Sequence, residues 1–135
     1  MIAPIPIALV IFLIAIAVVN GFADLNHWYW TMKWFDIPMH FAGGAWLAGF
    51  GVWWQYYRRG VEVPGFLQIL GVCFVYAFSI GLLWEAYEAV ISFFTVGHMN
   101  SMPDTLGDLL FDTIGGTTVA VLVWVLAKLK ITQTS

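Results

Sequence analysis

The sequence predicts an all-α integral membrane protein, a bundle of four transmembrane helices with both termini in the cytoplasm and a single domain over residues 1–135. Three observations support this fold class. The chain is 61% hydrophobic and only 10% charged, its mean hydropathy is +0.87, and its apolar residues fall into long runs. Soluble domains carry roughly 25% charged residues, so we expect lipid to surround most of these side chains.

The first apolar run covers about residues 2–19 and includes Pro4 and Pro6, which a first helical turn tolerates. It lacks a basic leading segment and a small-residue cleavage site, which favours a retained helix over a signal peptide. Residues 20–30 combine turn residues with clustered aromatics, and this composition predicts a loop on the membrane interface.

The second run covers about residues 37–57, is rich in glycine and ends at Arg58-Arg59. The third run, about 65–94, exceeds the roughly 20 residues that a span needs, so we expect it to be tilted or to protrude. A connecting loop follows, and Asp104 stands where a helix N-cap is expected before the fourth run, about 105–127. The tryptophans are assigned mostly to the interfacial belt and the lipid-facing surface.

The basic residues predict the orientation. With four spans, Arg58, Arg59, Lys128 and Lys130 lie on one side of the membrane and only Lys33 lies opposite. Short cytoplasmic loops carry the excess of Lys and Arg, which places both termini in the cytoplasm.

The composition argues against nucleic-acid binding and against sites built from cysteine. The formal net charge of −3 and the lack of a basic stripe argue against a nucleic-acid partner. Cys73 is the one cysteine, so neither a disulfide framework nor a thiolate metal site is available. We expect Cys73 to face lipid or to fill the core.

The acidic residues gather at one end of the predicted bundle. Apart from Glu62, all of them fall on the non-cytoplasmic side or in that half of the membrane. A charged side chain near the membrane centre costs at least about 2.5 kcal/mol, so such residues usually face the bundle interior and have a function. Helical spacing places them in three groups: Asp36 with His40, Glu85 with Glu88, and Asp104, Asp108 and Asp112 descending about 12 Å along one face.

These groups predict a metal site. Carboxylates this close cannot all stay ionised in a low-dielectric pocket without a cation or protons. Oxygen ligands with one imidazole suit Mg²⁺, Mn²⁺ or Ca²⁺ better than Zn²⁺ or iron. The predicted ligands are Asp36, His40, Glu85, Glu88, Asp108 and Asp112. His40 and Asp108 are the candidate catalytic residues.

Structural alternatives exist for most of these residues. Asp36 and Asp104 could equally be helix caps, and Asp24, His27 and His98 are expected to be solvated interface residues. The deeper acidic residues and His40 could form a hydrogen-bonded network that only ties the helices together.

Three motifs, taken in order and spacing, resemble the VanZ-like superfamily, including its YjdF-type branch of small bacterial inner-membrane proteins. They are Asp36-x-x-x-His40, Trp84-Glu85-x-x-Glu88 and Asp104-Thr105-x-Gly107-Asp108-x-x-x-Asp112-Thr113-x-Gly115. The resemblance covers the C-terminal three-quarters of the chain and implies a multi-pass protein of the bacterial inner membrane with a role in the cell envelope.

The first functional hypothesis is a divalent-metal site that binds a phosphorylated lipid or cell-envelope precursor, with hydrolysis or transfer of that ligand left open. The second is a proton- or cation-coupled transporter that uses the stripe of Asp104, Asp108 and Asp112. The third is an accessory subunit of a larger membrane complex. Membrane lipid is an expected partner in each case, and a homo-oligomer is also compatible with the sequence.

Overall fold

The computed structural model describes residues 3–95 and 101–134, and this part of the chain is helical with no strand. The helices are α1 (Ile7–Leu25), α2 (Trp28–Thr31), α3 (Asp36–Gln55), α4 (Phe66–Thr95) and α5 (Met102–Thr134), with 3-10 turns at Lys33–Phe35 and Tyr57–Arg59. The predicted all-α class is therefore confirmed.

Three of the four long helices are long and apolar enough to cross a membrane. The qualifying stretches are Ile7–Leu25, Phe66–Phe94 and Met102–Leu129. Helix α3 has 20 residues, among them Asp36, His40 and several glycines, and it contains none of these stretches. The described residues thus show three candidate spans, and the predicted crossing by α3 stays a prediction.

Helices α3, α4 and α5 pack on one another. Close approach of α3 and α5 depends on glycine, because a Cβ on Gly44 would meet the backbone of Asp112 and one on Gly115 would meet the backbone of Phe41. Near the far end of the bundle, the Phe66 ring of α4 lies 5.6 Å from the Trp124 ring of α5. His40 lies beside Asp108 and Ala48 lies beside Gly116, so α3 and α5 run in the same direction. Helix α4 runs against them, because its residue Glu85 lies at the His40 end and its residue Phe66 at the Trp124 end.

Helix α1 packs against α3. The Trp46 indole donates a hydrogen bond to the Leu9 carbonyl at 2.8 Å, and the Trp53 indole donates one to the Pro4 carbonyl at 3.0 Å. These two tryptophans join helices, whereas the sequence assigned most tryptophans to the interface and the lipid-facing surface. Trp46 and Trp53 have this packing role because they face α1 and the residues before it. The composition of the second apolar run does not show which tryptophans face another helix.

An apolar core fills the half of the bundle nearer to Arg58 and Lys128. Cys73 is fully buried there, so it is a core residue and does not face lipid. The core residues are Ala48, Val52, Ile69, Cys73 and Ala120.

Residues 20–25, predicted as an interfacial loop, are instead the last turns of α1. Asn20 accepts a hydrogen bond from the Tyr29 hydroxyl at 2.5 Å, and Ala23 is fully buried. These tertiary contacts outweigh the low helix propensity of Asn20 and Gly21. The chain turns one residue after Asn26, at His27, which adopts a left-handed φ of 57°.

Neither acidic residue proposed as a helix cap is one. Helix α5 begins at Met102, and the Ser101 hydroxyl accepts the backbone N–H of Asp104 at 3.4 Å. Asp104 is therefore the third residue of the helix, where a negative charge still stabilises the helix N-terminus. Asp36 is the first residue of α3, and the N-cap position is Phe35, which makes no side-chain cap.

Candidate metal centre

Four carboxylates from three helices surround the imidazole of His40. Asp36 lies one turn before His40 on α3, Glu85 comes from α4, and Asp108 and Asp112 come from α5. His40, Glu85, Asp108 and Asp112 are all buried, whereas the Asp36 side chain is 34% exposed. Asp36 therefore forms the outer edge of this His40 cluster.

The Nε2 edge of the ring faces three of the carboxylates. Its distances are 3.6 Å to Asp36 Oδ1, 3.8 Å to Glu85 Oε1 and 3.9 Å to Asp108 Oδ1. These separations are longer than hydrogen bonds. Ligand atoms of Asp36, His40 and Asp108 all lie within 4.8 Å of one another, a spacing that one metal ion can bridge with bonds of about 2.0–2.6 Å.

The Nδ1 edge of the ring faces Asp112. Asp112 Oδ2 lies 3.3 Å from His40 Nδ1, so the tautomer protonated on Nδ1 donates to this carboxylate and leaves Nε2 able to bind a cation. A Cβ at Gly81 would collide with the same Asp112 carboxylate, which shows how closely it approaches α4. A carboxylate on the second ring nitrogen is a common way to orient a metal-binding histidine.

Glu85 is the residue whose surroundings most clearly indicate a ligand. It is 4% exposed, and neither of its carboxylate oxygens has a hydrogen-bond partner among the described residues. Thr105 of α5 lies beside it without hydrogen-bond geometry. A buried carboxylate without a partner is costly, so a cation or a proton is needed to stabilise it.

Glu88, the sixth predicted ligand, is not among the carboxylates around His40. Glu88 is half-buried, and its Oε1 accepts a hydrogen bond from the Trp84 indole at 2.8 Å. Asp104, Asp24 and His27 are exposed, and His98 lies outside the described residues. Five of the six predicted metal ligands, His40 and four carboxylates, therefore lie together. Asp112 is on one ring nitrogen of His40 and the other three carboxylates are on the opposite one. Glu88 is the predicted ligand that lies apart.

The Tyr29 side chain lies near several of the carboxylates and its pKa responds to them. Burial, together with the nearby carboxylates Asp36, Asp24 and Glu88, raises the pKa of Tyr29 to about 12. The phenol thus stays protonated and keeps donating to Asn20. Carboxylates therefore act on the Tyr29 side chain from this side of the His40 cluster, and their negative charge favours cations.

A family model described as a predicted membrane protein (DUF2238) matches residues 2–129. The chain belongs to this family. No curated protein and no solved structure matched it. Membership of DUF2238 confirms the prediction of a membrane protein, whereas the narrower VanZ-like and YjdF-type resemblance is not part of what the match shows.

In this DUF2238 protein, sequence reasoning overlooked Gly81, which leaves room for the Asp112 carboxylate beside α4. Gly81 precedes Glu85 by four residues and so lies on the same face of α4, one turn deeper. That spacing was a usable signal, because a glycine one turn below a buried acidic residue allows a second helix to bring its own side chain in. Gly44 has the same relation to His40 on α3.

Proposed function

We propose that this protein crosses the membrane four times and binds a divalent cation in the His40 cluster, near the non-cytoplasmic surface. The observation that carries the proposal is Glu85, buried and without a hydrogen-bond partner beside His40 Nε2. Asp36, His40 and Asp108 would be ligands with Glu85 as a fourth, and Asp112 would orient the imidazole. This donor set suits Mg²⁺, Mn²⁺ or Ca²⁺.

The proposed topology rests on α3 and on the basic residues. Helix α3 packs along both α4 and α5, which are apolar enough to span, so α3 would cross with them and be shielded from lipid by them. Arg58 and Arg59 follow its far end. The positive-inside tendency then places that end, and both termini, in the cytoplasm.

The proposed ligand of the bound cation is a phosphorylated lipid or cell-envelope precursor. The cluster reaches the surface through Asp36 at the start of α3, close to the exposed aromatics Trp30 and Trp34, which suit the headgroup region. A divalent cation binds phosphate oxygens and activates bound water. With both ring nitrogens of His40 engaged, the Asp108 oxygen that does not bind the cation is the better candidate for a base if turnover occurs.

A transport function receives less support from the described structure. Asp108 and Asp112 are buried, but the next layer toward the cytoplasmic end is the apolar core around Ala48, Ile69 and Ala120. Residues 117–126 of α5 contain no ionisable side chain that could continue a pathway. Within one chain, the acidic stripe ends at Asp112.

The test is metal binding to protein purified in mild detergent. We expect wild type to bind Mn²⁺ stoichiometrically in an electron paramagnetic resonance titration, Asp108→Asn to lose that binding, and Glu62→Gln to keep it, because Glu62 is exposed and far from the cluster. Elemental analysis of wild type prepared without chelators would identify the native metal. If wild type binds no divalent cation at millimolar concentration, the metal function is wrong.

A further inference from the structure

We propose that the ligand of this site is the zwitterionic headgroup of phosphatidylethanolamine, with its phosphate on the bound cation and its primary ammonium in the acidic mouth formed by Glu88, Asp104 and the Asp36 oxygen that does not bind the cation. The inference rests on the metal centre proposed above and names the class of lipid that the centre would accept.

The first argument is charge balance. Four carboxylates surround His40, so one divalent cation still leaves the ionised cluster negative. Lys33 is the only Lys or Arg on this side of the proposed membrane, and it is exposed. A purely anionic headgroup would meet repulsion there, whereas a headgroup with its own positive charge would not.

The second argument is the arrangement of the acidic mouth. Asp104 is exposed in the first turn of α5, one helical turn outward from the buried Asp108 that faces His40 Nε2. Glu88 lies about one helical turn outward from the buried Glu85 on α4, and Asp36 is the first residue of α3. The three carboxylates thus border the His40 cluster on its outer side, where an ammonium a few bonds away from a metal-bound phosphate would lie.

The third argument concerns the aromatic side chains at this mouth. Trp84 and Tyr87 are 50% and 55% exposed, and their ring centroids lie 5.5 Å apart. The Trp84 indole is held by its hydrogen bond to Glu88. Aromatic faces next to carboxylates attract ammonium groups through cation–π interaction, and a primary ammonium also donates hydrogen bonds to the carboxylates.

The experiment measures which lipid the protein retains. Protein reconstituted in vesicles of equimolar phosphatidylethanolamine, phosphatidylglycerol and phosphatidylcholine is extracted in mild detergent with Mn²⁺ or with a chelator. Retained lipid is quantified by mass spectrometry, and bound Mn²⁺ is measured on the same samples. The variants are Asp104→Asn, which changes the mouth and no proposed metal ligand, and Glu62→Gln as the matched acidic control on the opposite side.

We expect Mn²⁺-loaded wild type and Glu62→Gln to retain phosphatidylethanolamine over both other lipids by roughly threefold or more. Asp104→Asn should bind Mn²⁺ but lose most of this preference, and the chelator should abolish it. Equal retention of phosphatidylglycerol or phosphatidylcholine with Mn²⁺ bound would overturn the headgroup assignment and leave the metal centre intact. An unchanged preference in Asp104→Asn would overturn the role of the mouth, and absence of Mn²⁺ binding would overturn both proposals.

Discussion

His40 and Asp112 interact across 72 positions of sequence, and their contact assigns different roles to carboxylates that look equivalent in the sequence. Asp108 and Asp112 lie one turn apart on α5 and are equally buried. Asp108 faces Nε2, where a cation would bind, whereas Asp112 faces Nδ1. Loss of charge at a residue that binds the cation should reduce metal affinity more than loss of charge at a residue that orients the His40 imidazole.

Replacing each of these two aspartates by asparagine separates the roles. Asp112→Asn should weaken Mn²⁺ binding by about 10- to 100-fold without abolishing it, because a second carboxylate tunes the histidine and does not touch the ion. Asp108→Asn should abolish binding. Calorimetric or spectroscopic titration of both variants measures this, and equal loss in both would show that Asp112 is itself a ligand, as the sequence predicted.

Glu85 gives a prediction about stability. Leucine at this position removes a buried carboxylate that has no hydrogen-bond partner, and leaving such a group unsatisfied costs about 1–3 kcal/mol. In chelator, Glu85→Leu should therefore unfold at the same temperature as wild type or higher.

The comparison with metal completes that experiment. Mn²⁺ should raise the unfolding midpoint of wild type and raise that of Glu85→Leu much less. A variant that is less stable than wild type in chelator would contradict the view that Glu85 is retained for a ligand, and would favour a self-contained polar network.

At the scale of helices, the α3–α5 contact depends on two glycines. Gly115→Ala would place a Cβ against the Phe41 carbonyl, whereas Gly107→Ala, on the same helix, would meet nothing within 4 Å. Backbone atoms cannot move aside as a flexible side chain can, so α3 and α5 must separate.

We expect Gly115→Ala to destabilise the protein by about 1–3 kcal/mol or more and to weaken Mn²⁺ binding, since Asp108 and Asp112 would move away from His40. Gly107→Ala should be neutral or slightly stabilising because alanine favours the helix. Thermal unfolding in detergent measures both effects, and equal midpoints for the two variants would argue against the close α3–α5 approach.

At the scale of the whole molecule, the topology can be tested by cysteine labelling. Cys73 is fully buried and should not react, so the native chain gives a low background. Thiols introduced by Thr31→Cys and Met102→Cys should be labelled by an impermeant maleimide in intact cells. Glu62→Cys should be labelled only after permeabilisation.

The labelling pattern distinguishes the possible topologies. Labelling of Thr31→Cys and Glu62→Cys from the same side would show that α3 does not cross the membrane. The fully reversed pattern would keep four spans and place the His40 cluster in the cytoplasmic half, against the distribution of Arg58 and Arg59.

The features that depend on local order along the chain could be predicted without a structure. Long apolar runs predicted the helical class, and the boundaries of α3 and α4 agree with the predicted ones to within two residues. Helical spacing put Asp36 with His40 and Asp108 with Asp112 on common faces, because periodicity is a property of one helix. The same spacing placed Glu85 at a matching depth on α4.

The rotation of those faces and the distance between them depend on how the helices pack. Asp112 reaches Nδ1 of His40 because Gly44 and Gly81 leave room for it, and Glu88, three residues from Glu85, turns toward Trp84. Tertiary contacts of Asn20 and Ala23 likewise explain why α1 continues beyond the predicted end of the first run. These outcomes depend on partners far away in sequence, which no local pattern records.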